Sequence, residues 1–143
     1  MAVQNYENHT KFVPMFHIGV LGILVANVIW SIVRVIRYFN AENAFAVLVT
    51  IAVLAGILYG RIFALTVQDR VIRLEMRLRL ERVLPADLRG RIGEFRVGQL
   101  VSLRFASDAE LPDLARKVLE GKIEDRKTIK RMVRDWQADW LRA

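Results

Sequence analysis

Few residues in this chain are equipped for chemistry. His9 and His17 are its two histidines, and cysteine is absent. Two imidazoles with no thiolate and no carboxylate cluster nearby fall short of a metal-ligand set. The absence of cysteine excludes disulfides and thiol nucleophiles and fits a reducing compartment. There is no Gly-rich phosphate loop, nucleophile motif or paired-carboxylate pattern; Gly90, Gly93 and Gly98 are scattered without a strand pattern before them. The chain therefore reads as a non-enzyme, with no catalytic residue, no metal and no cofactor. His17 alone has a second reading. It lies in the first turn of an apolar run, where an ionisable group is a candidate ligand for a porphyrin-type pigment. An interfacial histidine reaching the headgroups is the plainer reading and is preferred.

The element that must hold His17 is the uncharged run Val13 to Val33. A helix rises about 1.5 Å per residue, so about twenty residues cross a bilayer's hydrocarbon core. A second run, Ala44 to Leu65, repeats the pattern with the single charge Arg61. Arg61 sits close enough to the end of its run to snorkel to the interface. Tyr6, Phe12 and Phe16 would mark one interface, and Trp30, Tyr38 and Phe39 the other. The first run makes a poor signal peptide: Lys11 is the only base before it, and Arg34 and Arg37 intervene before the A-x-A at Ala44 to Ala46.

The predicted fold is an all-α membrane protein. A two-helix transmembrane hairpin has its second helix extended into the cytoplasm, and a small three-helix cytoplasmic domain follows. The boundaries are a polar and aromatic N-terminal tail 1–12, transmembrane helix 1 at 13–36, a linker 37–43, transmembrane helix 2 at 44–66, a juxtamembrane amphipathic helix 67–84 and the cytoplasmic domain 85–143. Arg61 near the end of the second run and Arg70, Arg73, Arg77, Arg79 and Arg82 after it stand against Arg34 and Arg37 between the two runs. That bias puts both termini on the cytoplasmic side of a bacterial inner membrane. Charge is segregated to match: eighteen of the 22 Lys and Arg lie from Asp69 onward, with thirteen of the 15 acids.

Small residues mark possible helix contacts. Gly19, Gly22 and Ala26 share one face of the first span, and Ala52, Gly56 and Gly60 recur at four-residue spacing in the second. Such ridges let backbones approach closely in lipid. They serve either association with other helices or packing of the two spans on each other. Asn27, deeper in the first span, is read as an interhelical hydrogen-bonding residue.

Beyond the spans, Val67, Val71, Leu74 and Leu78 form one apolar stripe, and Ile72, Met76, Leu80 and Val83 form another. Two stripes on one helix call for cover on two sides. Asp69/Arg73 and Glu75/Arg79 are expected i,i+4 pairs. Arg70, Arg73 and Arg77 are candidates for contact with anionic headgroups or a partner. Pro85 should end the helix. In the tail, Val97, Leu100, Val101 and Phe105 suggest one helix. Ser107 to Glu110 looks like a capping box for a second, with Leu111, Leu114, Ala115 and Val118 inside and Gly121 at its end. Asp125 would cap a third, whose inner stripe is Ile129, Val133, Trp136 and Trp140. Trp136 and Trp140 are the expected packing residues of the tail.

The stretch Gln4 to His17 also carries a resemblance. Asn5, Tyr6, Asn8, His9, Lys11, Phe12, Pro14, Phe16 and His17 fit the pattern N-Y-x-N-H-x-[basic]-[aromatic]-x-P-x-[aromatic]-H. This resembles the N-terminus of an uncharacterised family of small bacterial two-span membrane proteins. Arg61 to Arg70 and Leu103 to Pro112 look similar too. The resemblance implies two spans and brings no activity with it.

These features suggest a small non-catalytic accessory or structural subunit of a larger inner-membrane complex, whether respiratory, photosynthetic or transport. The expected partners are membrane lipids with anionic headgroups and other membrane-protein subunits. One alternative is a self-assembling homo-oligomer held by the Gly56/Gly60 ridge. The other is a membrane-tethered regulator binding a partner or nucleic acid through its basic tail. Nucleic acid is disfavoured, because acids balance the bases and Trp136 and Trp140 claim one face of the last helix.

Overall fold

The computed structural model describes residues 4–140. It is all-helical. A π-helical stretch, Met15–Val20, runs directly into α1 (Leu21–Arg37), and α2 spans Ala41–Val83. After these come α3 (Ala86–Arg89), a 3-10 turn (Ile92–Glu94), α4 (Val97–Leu103), α5 (Leu111–Glu120) and α6 (Arg126–Met132). Among the described residues there is no strand, only a single antiparallel bridge between Ala106 and Trp136. The chain forms two compact units, one of residues 11–64 and one combining residues up to 10 with 65 onward.

In the first of these units both helices are long and apolar enough to cross a membrane, with windows of mean hydropathy 2.1. Only three residues, Tyr38 to Asn40, connect α1 and α2. The connection is closed by polar groups. Asn43 Nδ2 donates to the Tyr38 carbonyl at 2.7 Å, and Asn40 Oδ1 accepts from the Asn43 amide at 2.7 Å. Asn40 thus caps α2, and the helix starts at Ala41, inside the stretch read as linker. Among the better-covered residues, Leu21, Leu24, Val28, Ser31 and Val35 of α1 and Asn43, Val47, Thr50, Leu54, Ile57 and Arg61 of α2 recur at alternating three- and four-residue steps. Each of the two helices thus carries a narrow stripe that is less exposed than its other faces. Ile32, Val35 and Ile36 share a cavity of about 260 Å³ with Ala44 and Val47.

The other unit is built around a buried core of Ile72, Met76, Leu80, Leu84, Leu88, Leu100, Leu103, Leu111, Leu114, Val118 and Ile129, among others. Three of these residues belong to α2. Residues 85–143 are therefore not a unit by themselves: the stripe Ile72, Met76 and Leu80 forms one wall of the core. A segment of that size buries too little apolar surface alone, and the second half of α2 supplies the missing part. Pro85 follows the end of α2 as expected and leads into α3.

The last helix is the main departure from the sequence reading. α6 is capped by Asp125, whose carboxylate accepts from the Thr128 amide at 2.7 Å. It stops at Met132, so Trp136 and Trp140 lie outside it. The reason is competition for backbone donors. The Glu110 carboxylate accepts from the amides of Arg134 and Asp135 at 2.8–3.1 Å. The chain then runs extended, with Gln137 N donating to the Phe105 carbonyl at 2.7 Å and Ser107 N to the Asp135 carbonyl at 3.1 Å. Glu110 does not close a capping box at α5; its carboxylate serves this segment instead. Gly121 does end α5, where a Cβ would meet the Lys117 carbonyl at 2.9 Å, and the left-handed residue is its neighbour Lys122, at φ 48°.

Candidate functional site

The second half of α2 has two unlike faces. A 3.6-residue period turns Ile72, Met76 and Leu80 inward, where they are at most 6% exposed, with Val83 packed beside them. The same period turns Val67, Val71, Leu74 and Leu78 outward, and these are 59, 50, 61 and 54% exposed. The expected second cover is not supplied within the described residues.

Arg79 fixes which face is which. Its Nε donates to Asp108 Oδ1 at 2.7 Å, and its two terminal nitrogens donate to the carbonyls of Arg104 (3.1 Å) and Ala106 (2.7 Å). A planar guanidinium suits this three-way grip on the 104–108 turn. The expected i,i+4 pairs along α2 are replaced. Arg79 takes Asp108, and Asp69 lies 3.6 Å from Arg126. For Arg79 the tertiary partners win because two of its three bonds go to part-buried backbone carbonyls, whereas exposed i,i+4 pairs contribute only about 0.3–0.5 kcal/mol.

Arg70, Arg73 and Arg77 line a groove with Val67, Val71 and Leu74. Among the described residues no ion pair involves these three arginines, and the buried Nε of Arg77 has no hydrogen-bond partner.

Residues 4–10 of the N-terminal lead, read as a polar and aromatic tail, belong to the same unit. Gln4 is 2% exposed. Its Oε1 accepts from the Asp139 amide (2.9 Å) and the Trp136 indole (3.3 Å), and its Nε2 donates to the Asp139 carbonyl (3.2 Å). Trp136 stacks on Phe105 with centroids 4.4 Å apart, and His9 meets both rings. His9 Nε2 lies 3.0 Å from Lys130 Nζ, and its Nδ1 faces the Tyr6 carbonyl. The acceptor at Nε2 and the carbonyl at Nδ1 fit a neutral ring protonated on Nδ1. Arg104 lies over the Phe105 ring at 4.2 Å and Arg131 over Tyr6 at 5.3 Å. The periodicity argument missed this cluster because its members come from three distant stretches. The aromatics near both chain ends were the only sequence signal for it. Trp140, by contrast, is 61% exposed.

In the two long apolar helices, Gly22, Ala26, Ala52, Gly56 and Gly60 are exposed. A Cβ at Gly22, Gly56 or Gly60 would meet nothing within 4 Å, so the two small-residue ridges do not pack on each other. At Gly19 a Cβ would come 3.3 Å from Met15 Sδ. His17 is engaged locally. Its Nδ1 lies 2.9 Å from the Val13 carbonyl, and its ring stacks on Phe12 and meets Phe16 edge-on. Asn27 is exposed, and Arg61 lies over the Phe16 ring at 5.4 Å.

Among the described residues no three His, Asp or Glu side chains gather into a group that could hold a metal ion. The perturbed carboxylates are structural. Hydrogen bonding from Arg116 lowers the pKa of Asp87, that from Arg91 lowers Glu94, and that from Thr128 lowers Asp125.

No curated protein and no solved structure matches the chain. A family of unknown function, DUF6526, matches residues 1–143, and the chain belongs to it.

Proposed function

We propose that the chain is a non-catalytic, two-span accessory subunit of a larger inner-membrane complex. It is a helical hairpin with both terminal segments on the cytoplasmic side. The observation that carries this reading is the uncovered stripe Val67, Val71, Leu74 and Leu78, four large apolar side chains at least half exposed on a helix otherwise locked into a core. Water-exposed stripes of this kind mark interaction surfaces. The topology is supported by residues 4–10 sharing one compact unit with the C-terminal half. Segments at the two ends of the chain meet in one folded unit only after an even number of crossings. The arginine bias after the second span favours the cytoplasm for that side.

Self-assembly is the second reading. It draws on the exposed Ala52, Gly56 and Gly60, which leave room for a close-packed helix from outside the chain. A nucleic-acid-binding tail is weaker than either. α6 is only seven residues long, and Arg126, Lys130 and Arg131 already face Asp69, His9 and Tyr6.

Isolation from native membranes in mild detergent, with mass determination of the intact assembly, tests the proposal. Stoichiometric recovery with other membrane subunits is the expected result and identifies the host as respiratory, photosynthetic or transport. Recovery of this chain alone, at a multiple of 16.5 kDa, would overturn the accessory role in favour of self-assembly. In that case Gly56→Leu and Gly60→Leu should reduce the multiple to the single chain.

A further inference from the structure

We infer that the outer face of α2 from Val67 to Leu78 is a docking groove for an amphipathic helix of a partner protein, one whose apolar stripe is bordered by carboxylates. This rests on the subunit reading above and adds what the partner must look like.

The groove is shaped for a helix. Val67, Val71, Leu74 and Leu78 follow a 4-3-4 spacing, which keeps one narrow seam in line for an adjoining helix. All four are at least half exposed. The cavity between the first three of them, Val67, Val71 and Leu74, and the arginines measures about 460 Å³.

Its charge selects the occupant. Arg70, Arg73 and Arg77 line the groove, and none of them forms an ion pair among the described residues. The α2 acid nearest in sequence to Arg70, Asp69, lies beside Arg126 instead. Arg77 presents a buried Nε with no acceptor. A guanidinium donor already removed from water is costly until it is paired, and a carboxylate pairs it with two parallel hydrogen bonds.

A second copy of this chain would set the same unpaired arginines against each other, and like charges oppose such an interface. Headgroups could serve Arg70, near the end of the span. Leu74 and Leu78, however, lie roughly 14 and 20 Å along the helix axis beyond Leu65, too far for lipid to cover them.

The test uses the full-length protein. The chain has no cysteine, so Leu74→Cys carries the sole thiol and takes a photo-reactive label. After cross-linking in native membranes, the attached segment is sequenced. The expected product is a foreign segment with apolar residues at helical spacing flanked by Asp or Glu, lost when Arg70, Arg73 and Arg77 are changed to Glu. In parallel, the protein in zwitterionic nanodiscs is titrated with two synthetic helices sharing a leucine stripe, one with Glu flanks and one with Lys flanks. The Glu-flanked helix should bind at least about tenfold tighter, with the advantage shrinking as salt rises. Equal binding of the two peptides, a cross-link to a second copy, or a cross-link to lipid alone would overturn the inference. The arginine side chains line an outer groove, so the triple variant should keep its helical circular dichroism and unfolding midpoint. If a Leu74→Glu variant still co-purifies with its full set of subunits, the docking inference fails while the subunit reading stands.

Discussion

At the scale of single residues, the folded unit depends on polar side chains that the hydrophobic pattern does not reveal. Gln4 is the clearest. Replacing it with Ala would leave the Trp136 indole and the Asp139 amide without their acceptor in a site that is 2% exposed. We expect Gln4→Ala to cost about 1–3 kcal/mol of stability, read as an earlier unfolding midpoint and a shifted Trp fluorescence. Asp125 gives a pH signature. Its pKa is lowered, first by the Thr128 hydroxyl and then by backbone amides. Its stabilising contribution is therefore complete above the ordinary value of 3.8 and is lost as pH falls through the lower folded value. Asp125→Asn keeps a capping oxygen but does not titrate. Thermal unfolding followed on an acid series should show a shallower decline for Asp125→Asn than for the parent chain. An identical decline would remove Asp125 from the acid response.

At the scale of elements, α2 makes opposite predictions for side chains six residues apart. Leu80 is fully buried and Leu74 is 61% exposed. Leu80→Ala should cost about 2–5 kcal/mol through lost burial and the cavity left behind. Leu74→Ala should stay within about 0.5 kcal/mol. Chemical denaturation of the two variants checks both values. Equal losses would mean that the outer stripe is covered within the chain itself. α6 shows the opposite influence, of the fold on an element. Its helical pattern extends past Met132, yet Glu110 and the Phe105 ring hold the following residues extended. Local propensity is worth tenths of a kcal/mol per residue, less than several hydrogen bonds and a buried aromatic stack.

At the scale of the whole molecule, the N-terminal lead and the C-terminal half form one unit. The topology we propose can be read with single cysteines in the cysteine-free chain. Cysteines placed at Glu7 and at Lys127, both exposed, should be labelled by a membrane-impermeant maleimide from the cytoplasmic face only. One placed at Phe39, in the α1–α2 connection, should be labelled from the opposite face only. Labelling of Glu7→Cys and Lys127→Cys from different faces would rule out the hairpin.

The sequence by itself determined the helical class, the two long apolar helices, the extension of the second beyond its apolar run, and the cap at Asp125. Each of these follows from local periodicity or from a short-range hydrogen bond, and both are written in adjacent residues. The motif at Gln4 to His17 likewise pointed to an uncharacterised family, and the chain belongs to a family of unknown function. Only the tertiary structure decided which of the two stripes on α2 is buried, since both are wholly apolar and both recur at helical three- and four-residue steps. The choice rests on Arg79, whose partners lie 25 to 29 residues away. It also decided that Trp136 leaves the helical pattern to stack on Phe105, and that Gln4 and His9 close over them. Those contacts join residues more than a hundred positions apart in places, and long-range pairings of that kind leave no periodic trace in the chain.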